Sequence, residues 1–231
     1  KNTGTITIGN NSQGLYLKNG DTIDNGGSIL SLGISTVGIF ADNVTNPVIN
    51  TGIIDLSGDK SVGIYKTGAV NSISNNNIIK IGDSSDLNDP GIGIYSNTAG
   101  DIITNSGTID TGKNSIGIYA EGAAVNQNNI LSVGDTGTGI YTKGGTVTLG
   151  AGSNITVGSN ESVGIYGTNG THITNNSINA ININNGGYGF ILETGSLLDN
   201  NGILSLNGKG TGVYSDGLNT VNNYTGADIN M

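Results

Sequence analysis

The sequence contains no cysteine, no tryptophan and no arginine. Without cysteine there are no disulfides and no thiolate metal ligands, which suits a chain that crosses an oxidising compartment unfolded. Aromatic residues make up only 5%, so a globular core of ordinary shape would be short of large side chains. A solenoid needs fewer, because each unit buries only a thin layer against its neighbours. Eight lysines are the only permanent cations and the net charge is −9. That balance offers no basic patch for DNA, RNA or anionic lipid, and it leaves polar or cationic partners open. No run approaches the ~20 apolar residues of a membrane helix, and no signal peptide is visible at Lys1.

What the chain has in quantity is glycine, 41 residues of it, arranged with a period. Glycine, an aliphatic residue and an aromatic recur from Gly14-Leu15-Tyr16 through Gly63-Ile64-Tyr65 and Gly117-Ile118-Tyr119 to Gly212-Val213-Tyr214. Gly189-Phe190-Ile191 fills one slot in altered form. The glycines stand 24, 25, 30, 24, 22, 25, 25 and 23 residues apart. A near-constant period of this size is the signature of stacked supersecondary units. It runs end to end, so residues 1–231 read as a single repeat domain. Because both ends fall inside a repeat, the chain reads as a piece of something longer.

Each unit carries three short apolar runs. The first alternates branched aliphatics with Thr, Ser or Asp, as in Ile53-Ile54-Asp55-Leu56 and Ile203-Leu204-Ser205-Leu206. The Gly-Ile-Tyr run follows, and then a shorter one such as Ser72-Ile73 or Ile102-Ile103. Period-2 alternation predicts strands, and the Gly, Asn, Asp and Ser between them predict tight turns. Three strands and three turns in about 24 residues describe one coil of a parallel β-helix. The expected fold is therefore all-β: a right-handed, single-stranded parallel β-helix of about nine coils, since parallel crossovers are overwhelmingly right-handed.

Stacked coils set equivalent residues in columns. Leu15, Ile39, Ile64, Ile94, Ile118, Ile140, Ile165, Phe190 and Val213 form one column, expected to point inward as a core ladder. If the strand alternates strictly, Val62 points inward with Ile64, while Gly63 and Tyr65 point outward. The aromatics then stack along one outer edge. That stripe either seals a corner of the coil or offers a partner an aromatic surface. Asn25, Asn50, Asn75, Asn105, Asn175 and Asn200 form a further column, expected to be an internal amide ladder at a bend.

One unit departs from the rest. Gly82-Asp83-Ser84-Ser85-Asp86-Leu87-Asn88-Asp89-Pro90 replaces a tight turn. Insertions in solenoids form loops on one face, and that face often binds. The candidate ligand-binding residues are therefore Asp83, Asp86, Asn88 and Asp89, with Tyr65 and Tyr95 beside them. Three aspartates at steps of three could offer oxygens to Ca²⁺, but they match no EF-hand spacing; the turn reads as a solvated acidic loop, with no metal or other cofactor expected.

Catalytic patterns are missing. A polysaccharide lyase needs a cation at the developing charge, and a hydrolase needs two carboxylates across a cleft. Here Asp55 and Asp110 share one periodic column and Asp24 and Asp199 another. His172, the only histidine, has no Ser or Cys partner in a recognisable motif.

Gly107-Thr108-Ile109-Asp110-Thr111-Gly112, Asn114-Ser115-Ile116-Gly117-Ile118-Tyr119-Ala120 and Ile173-Thr174-Asn175-Asn176 carry a resemblance. The chain resembles the passenger domains of very large type Va autotransporter adhesins of fusobacteria and their relatives. The resemblance implies a monomeric β-helical rod at the bacterial surface, anchored in the outer membrane by a barrel outside this chain. It also implies attachment to host glycans, to receptor proteins or to other bacteria. Two functions compete on that view: a segment that itself binds, and a stalk that carries a binding tip. Polysaccharide cleavage is the distant third.

Overall fold

Residues 1–230 are described by a computed structural model. Their 28 strands form three parallel sheets of ten, nine and nine strands, in the order of the repeat. The first sheet begins with Thr5–Thr7, the second with Gln13–Lys18 and the third with Ile23–Asn25, and every third strand returns to the same sheet. This is the parallel β-solenoid that the period predicts, with three strands per coil and nine complete coils. At a strand spacing of about 4.8 Å the coils build a rod roughly 43 Å long. Registers match the repeat: Ile64 pairs with Ile94 and Ile94 with Ile118, although the coil between Ile64 and Ile94 is the longest one.

The core is a stack of aliphatic layers. Ile54 and Leu56 of the first sheet, Ile64 of the second and Ile73 of the third are all fully buried, and the pattern repeats in the next coils. The inward ladder from Ile39 to Phe190 has no exposure at any rung. The end rungs, Leu15 and Val213, are partly buried.

The second sheet departs from strict alternation. In Val62–Thr67, Val62 is half-buried and outward, Gly63 and Ile64 are both buried, and Tyr65 is outward again. The expectation that Val62 points inward and Gly63 outward is therefore corrected. The backbone bends at the glycine so that two successive residues face the core. A Cβ on Gly63 would lie 2.5 Å from the carbonyl oxygen of Gly93 and 2.8 Å from Ile79 Cγ2. Only a residue without a side chain can occupy that inner position while its neighbour also points in.

Mid-rod, the same Cβ on Gly117 would meet the Gly139 oxygen at 2.5 Å and Leu131 Cδ1 at 2.7 Å. Gly117→Ala is expected to lower stability by about 1–3 kcal/mol through overpacking. Denaturant melts check this, and an unchanged midpoint would show that the bend tolerates a methyl group.

Except at the long turn, two corners of each coil are closed by residues in the left-handed region. Asn11, Ser35, Lys60, Asn114, Thr136 and Asn160 have φ between 53° and 58° at the corner after the first run. Asn19, Asn43, Gly68, Gly100 and Gly122 do the same after the second. The third corner is closed by the asparagine column. Asn2 donates to Asn25, Asn25 to Asn50, Asn50 to Asn75 and Asn75 to Asn105, each at 2.8 Å. Gln127 extends the ladder, accepting from Asn105 at 2.9 Å, and Leu149 interrupts it. It resumes from Asn175 through Asn200 to Asn223 at 2.7 Å per step. Apart from the exposed Asn223, these amides are buried, so each bond satisfies groups that would otherwise be costly to desolvate.

Candidate functional site

The long turn brings Asp83, Asp86, Asn88 and Asp89 to the corner between the first and second sheets, just before the strand Ile92–Ser96. Each acidic group already has a partner. Asp83 Oδ1 accepts the backbone N–H of Lys113 at 2.8 Å. Asp86 Oδ1 accepts the N–H of Asn88 at 2.9 Å, inside the turn itself. Asp89 pairs with Lys60 at 3.1 Å. Ser84 is 2% exposed and anchors the loop: its Oγ donates to Asp59 Oδ1 at 2.9 Å, and its N–H donates to the Lys113 carbonyl at 2.8 Å. Asn114 Nδ2 donates to the Ser84 carbonyl at 2.8 Å. Hydrogen bonds from Ser85 and Ser84 hold the Asp59 carboxyl below its usual range.

The insertion is thus stitched to the coil before it and the coil after it. Asp83, Asn88 and Asp89 remain exposed to solvent while the loop backbone is held against the rod. The aspartates face separate partners, so they do not converge on a common point. Among the described residues no group of three or more His, Cys, Asp or Glu side chains could hold a metal ion.

Tyr65 and Tyr95 stand together as expected, half-buried on the outer face of the second sheet. Their rings stack with centroids 4.6 Å apart and planes 12° apart. Tyr95–Tyr119, Tyr119–Tyr141 and Tyr141–Tyr166 continue the stack at 5.0–5.2 Å, with planes 11–17° apart. Strand spacing of about 4.8 Å matches a ring-stacking distance, so pairing registers and ring contacts support one another.

The stacking has a chemical consequence. A sugar binds an aromatic by its face, and from Tyr65 to Tyr166 the faces are covered by neighbouring rings. The stripe shows ring edges and phenol groups instead. Some phenols are engaged too: Tyr119 donates to Glu121 Oε1 at 2.6 Å. Burial, together with the hydrogen bonds to Glu121 and Glu193, pushes the Tyr119 and Tyr166 phenols well above their ordinary pKa. Among the described residues no hydrogen bond or ion pair joins Tyr65 or Tyr95 to the long turn.

Sequence reasoning missed a buried ion pair. Lys66 and Asp101 have no solvent exposure, and Lys66 Nζ lies 2.8 Å from Asp101 Oδ2 and 2.9 Å from Oδ1. The ammonium also donates to the Ala69 carbonyl at 2.6 Å. Asp101 accepts the N–H of Asn71 at 2.8 Å and the hydroxyl of Ser96. Lys66 occupies an inward column shared with Leu17, Ala41, Ser96, Ala120, Thr142, Gly167 and Leu192. A lysine among uncharged residues was the available signal. The pair ties the third coil to the expanded fourth, and its sealed position gives no substrate access.

The remaining acidic groups are dispersed. Lys80 stands between Asp55 and Asp110 in their shared column. Asp24 and Asp199 lie seven strand steps apart along the third sheet. His172 opens the strand His172–Asn175 and meets Asp199 Oδ2 at 2.7 Å. Hydrogen bonds from Asn222, His172 and Tyr224 hold the Asp199 carboxyl below its usual range.

The geometry defines a parallel β-solenoid whose regular faces are internally satisfied. The chain matches no protein-family model, no curated protein and no solved structure to which it was compared.

Proposed function

We propose that this chain is a stretch of the exposed rod of a bacterial surface adhesin, and that it serves as a stiff spacer holding a contact region away from the cell. The observation that carries this reading is the way the one irregular loop is pinned to both neighbouring coils, leaving three parallel sheets in continuous register. Such a surface presents much the same groups coil after coil, and the long turn gathers no converging set of side chains. Three hydrogen-bonded sheets, an amide ladder and an aromatic stack all run along the axis, and together they resist bending. The resemblance of the repeat phrases to autotransporter passengers supports an extracellular location, anchorage by a barrel and ligands such as host glycans or receptor proteins. Catalysis has no support in the arrangement of carboxylates.

Beads coated with the purified chain test the proposal. They are expected not to adhere to host cells, to glycan surfaces or to other bacteria. Placed in one or two copies between a known binding tip and the bead, the chain should extend the reach by roughly 43 Å per copy. Adhesion by beads bearing the chain alone would overturn the spacer reading in favour of a binding segment. Shortening Asp83–Pro90 to the Asp135-Thr136-Gly137 form would then show whether the loop is responsible.

A further inference from the structure

The aromatic column breaks once, in the eighth coil. Elsewhere the aliphatic residue after the glycine faces in and the aromatic faces out, as in Ile165-Tyr166. In Tyr188–Glu193 the two are exchanged: Phe190 is fully buried and Ile191 takes the outward place, in register with Tyr166 and Tyr214. An aliphatic side chain in a ring column leaves a missing rung. Tyr188 occupies the neighbouring outward column, in register with Val163, and its ring meets Tyr214 edge to face at 6.2 Å and 79°.

The result is a hollow of about 340 Å³, lined by Tyr188, Ile191, Tyr214 and Glu161. With Ile191 between them, Tyr166 and Tyr214 do not stack on one another, so ring surface of the kind that is covered from Tyr65 to Tyr141 borders this gap. Glu161 comes from the turn of the preceding coil, held in the left-handed region at φ 67°. Its carboxylate has no hydrogen-bond or ion-pair partner among the described residues, in contrast to the acidic groups of the long turn. Glu193 and Asp216 stand further along the same two strands. Lys209, on the turn of the following coil, is exposed and makes no ion pair with Glu161.

We propose that this hollow binds a single alkyl cation of the lysine or arginine side-chain class, presented by a partner protein. The apolar stem would lie on Ile191 and the ring edges. The charged head would meet the tyrosine π-systems and the free Glu161 carboxylate, both of which attract cations. Size permits the assignment, since a hollow of about 340 Å³ has room for such a side chain. Charge agrees as well, because the chain carries −9 overall. The site stands independently of the spacer role: a rod can hold its tip away from the cell and still carry one weak lateral contact.

The test is a titration followed by two-dimensional NMR of the whole chain. The probes are N-acetyl-lysine methylamide, N-acetyl-arginine methylamide and the neutral isostere N-acetyl-norleucine methylamide. Saturable shifts confined to residues around 161, 188, 191 and 214 are expected for the two cations and not for norleucine. Glu161→Gln, an exposed change that leaves the fold alone, should weaken binding roughly three- to tenfold. Tyr214→Leu should abolish it while circular dichroism stays unchanged. An equal response to norleucine would reduce the hollow to an apolar dent and overturn the proposal. So would an unweakened Glu161→Gln, or the absence of saturable shifts. None of these results bears on bead adhesion, so the two proposals stand or fall separately.

Discussion

Replacing Lys66 with methionine is expected to destabilise the protein by about 3–5 kcal/mol, because it leaves the Asp101 carboxylate buried without its counter-ion. Lys66 and Asp101 have no exposure, so water cannot substitute for the lost ammonium. Methionine has a similar length and apolar stem, which makes cavity formation a minor part of the change. The double variant Lys66→Met with Asp101→Asn should recover most of the loss. Asparagine keeps an acceptor for the Asn71 N–H and removes the stranded charge. In a solenoid, stability is a sum over coils and nearest-neighbour contacts, so one global midpoint can conceal a local loss. Hydrogen exchange at Val62–Thr67 and Ile102–Asn105 should therefore accelerate in the single variant before distant coils respond. Unchanged exchange in both strands would mean that the pair contributes nothing to the junction between the third and fourth coils.

The second large effect is expected at Ile118. This residue is fully buried mid-rod, and Ile118→Ala should cost about 2–5 kcal/mol through lost transfer energy and the cavity left behind. Tyr119→Leu, one position along, keeps an apolar side chain on the outer face but removes two ring-on-ring contacts at 5.0 Å. Its cost should be smaller, about 1–2 kcal/mol. Comparison of the two variants in denaturant melts measures which face of the strand carries the core. A larger loss for Tyr119→Leu would show that the aromatic stack outweighs the aliphatic layers in holding adjacent coils together.

The two effects differ in how far they could be read in advance. Ile118 belongs to a ladder visible as a repeated position in the sequence, so its burial follows once the period is known. Lys66 is one lysine in a column of otherwise uncharged residues, and its partner lies 35 residues away, just before a strand in the next coil. Nothing local marks Asp101 as that partner. The same limit applies to the long turn. Its composition suggests a solvated acidic loop, and Asp83 and Asp89 are exposed, but nothing local shows that Ser84 is buried or that Asp83 reaches the backbone of Lys113, thirty residues on.

By itself, then, the sequence determined everything that recurs: the parallel solenoid, its three strands per coil, the inward aliphatic ladder, the stacked asparagines and the outward aromatic stripe. Repetition makes these legible, because each coil repeats the same short-range pattern of strand and turn and the stacking follows from it. What the tertiary structure alone decided is where that repetition bends or fails. Gly63 and Ile64 both face the core because the chain bends where a Cβ would strike the next coil's carbonyl, a contact made between coils rather than within one. The tyrosine faces are covered because strand spacing sets the ring spacing. Glu161, Tyr188, Ile191 and Tyr214 meet because three successive coils stack in register. Contacts between non-identical residues of neighbouring coils depend on distance and orientation, and those arise only when the rod is assembled.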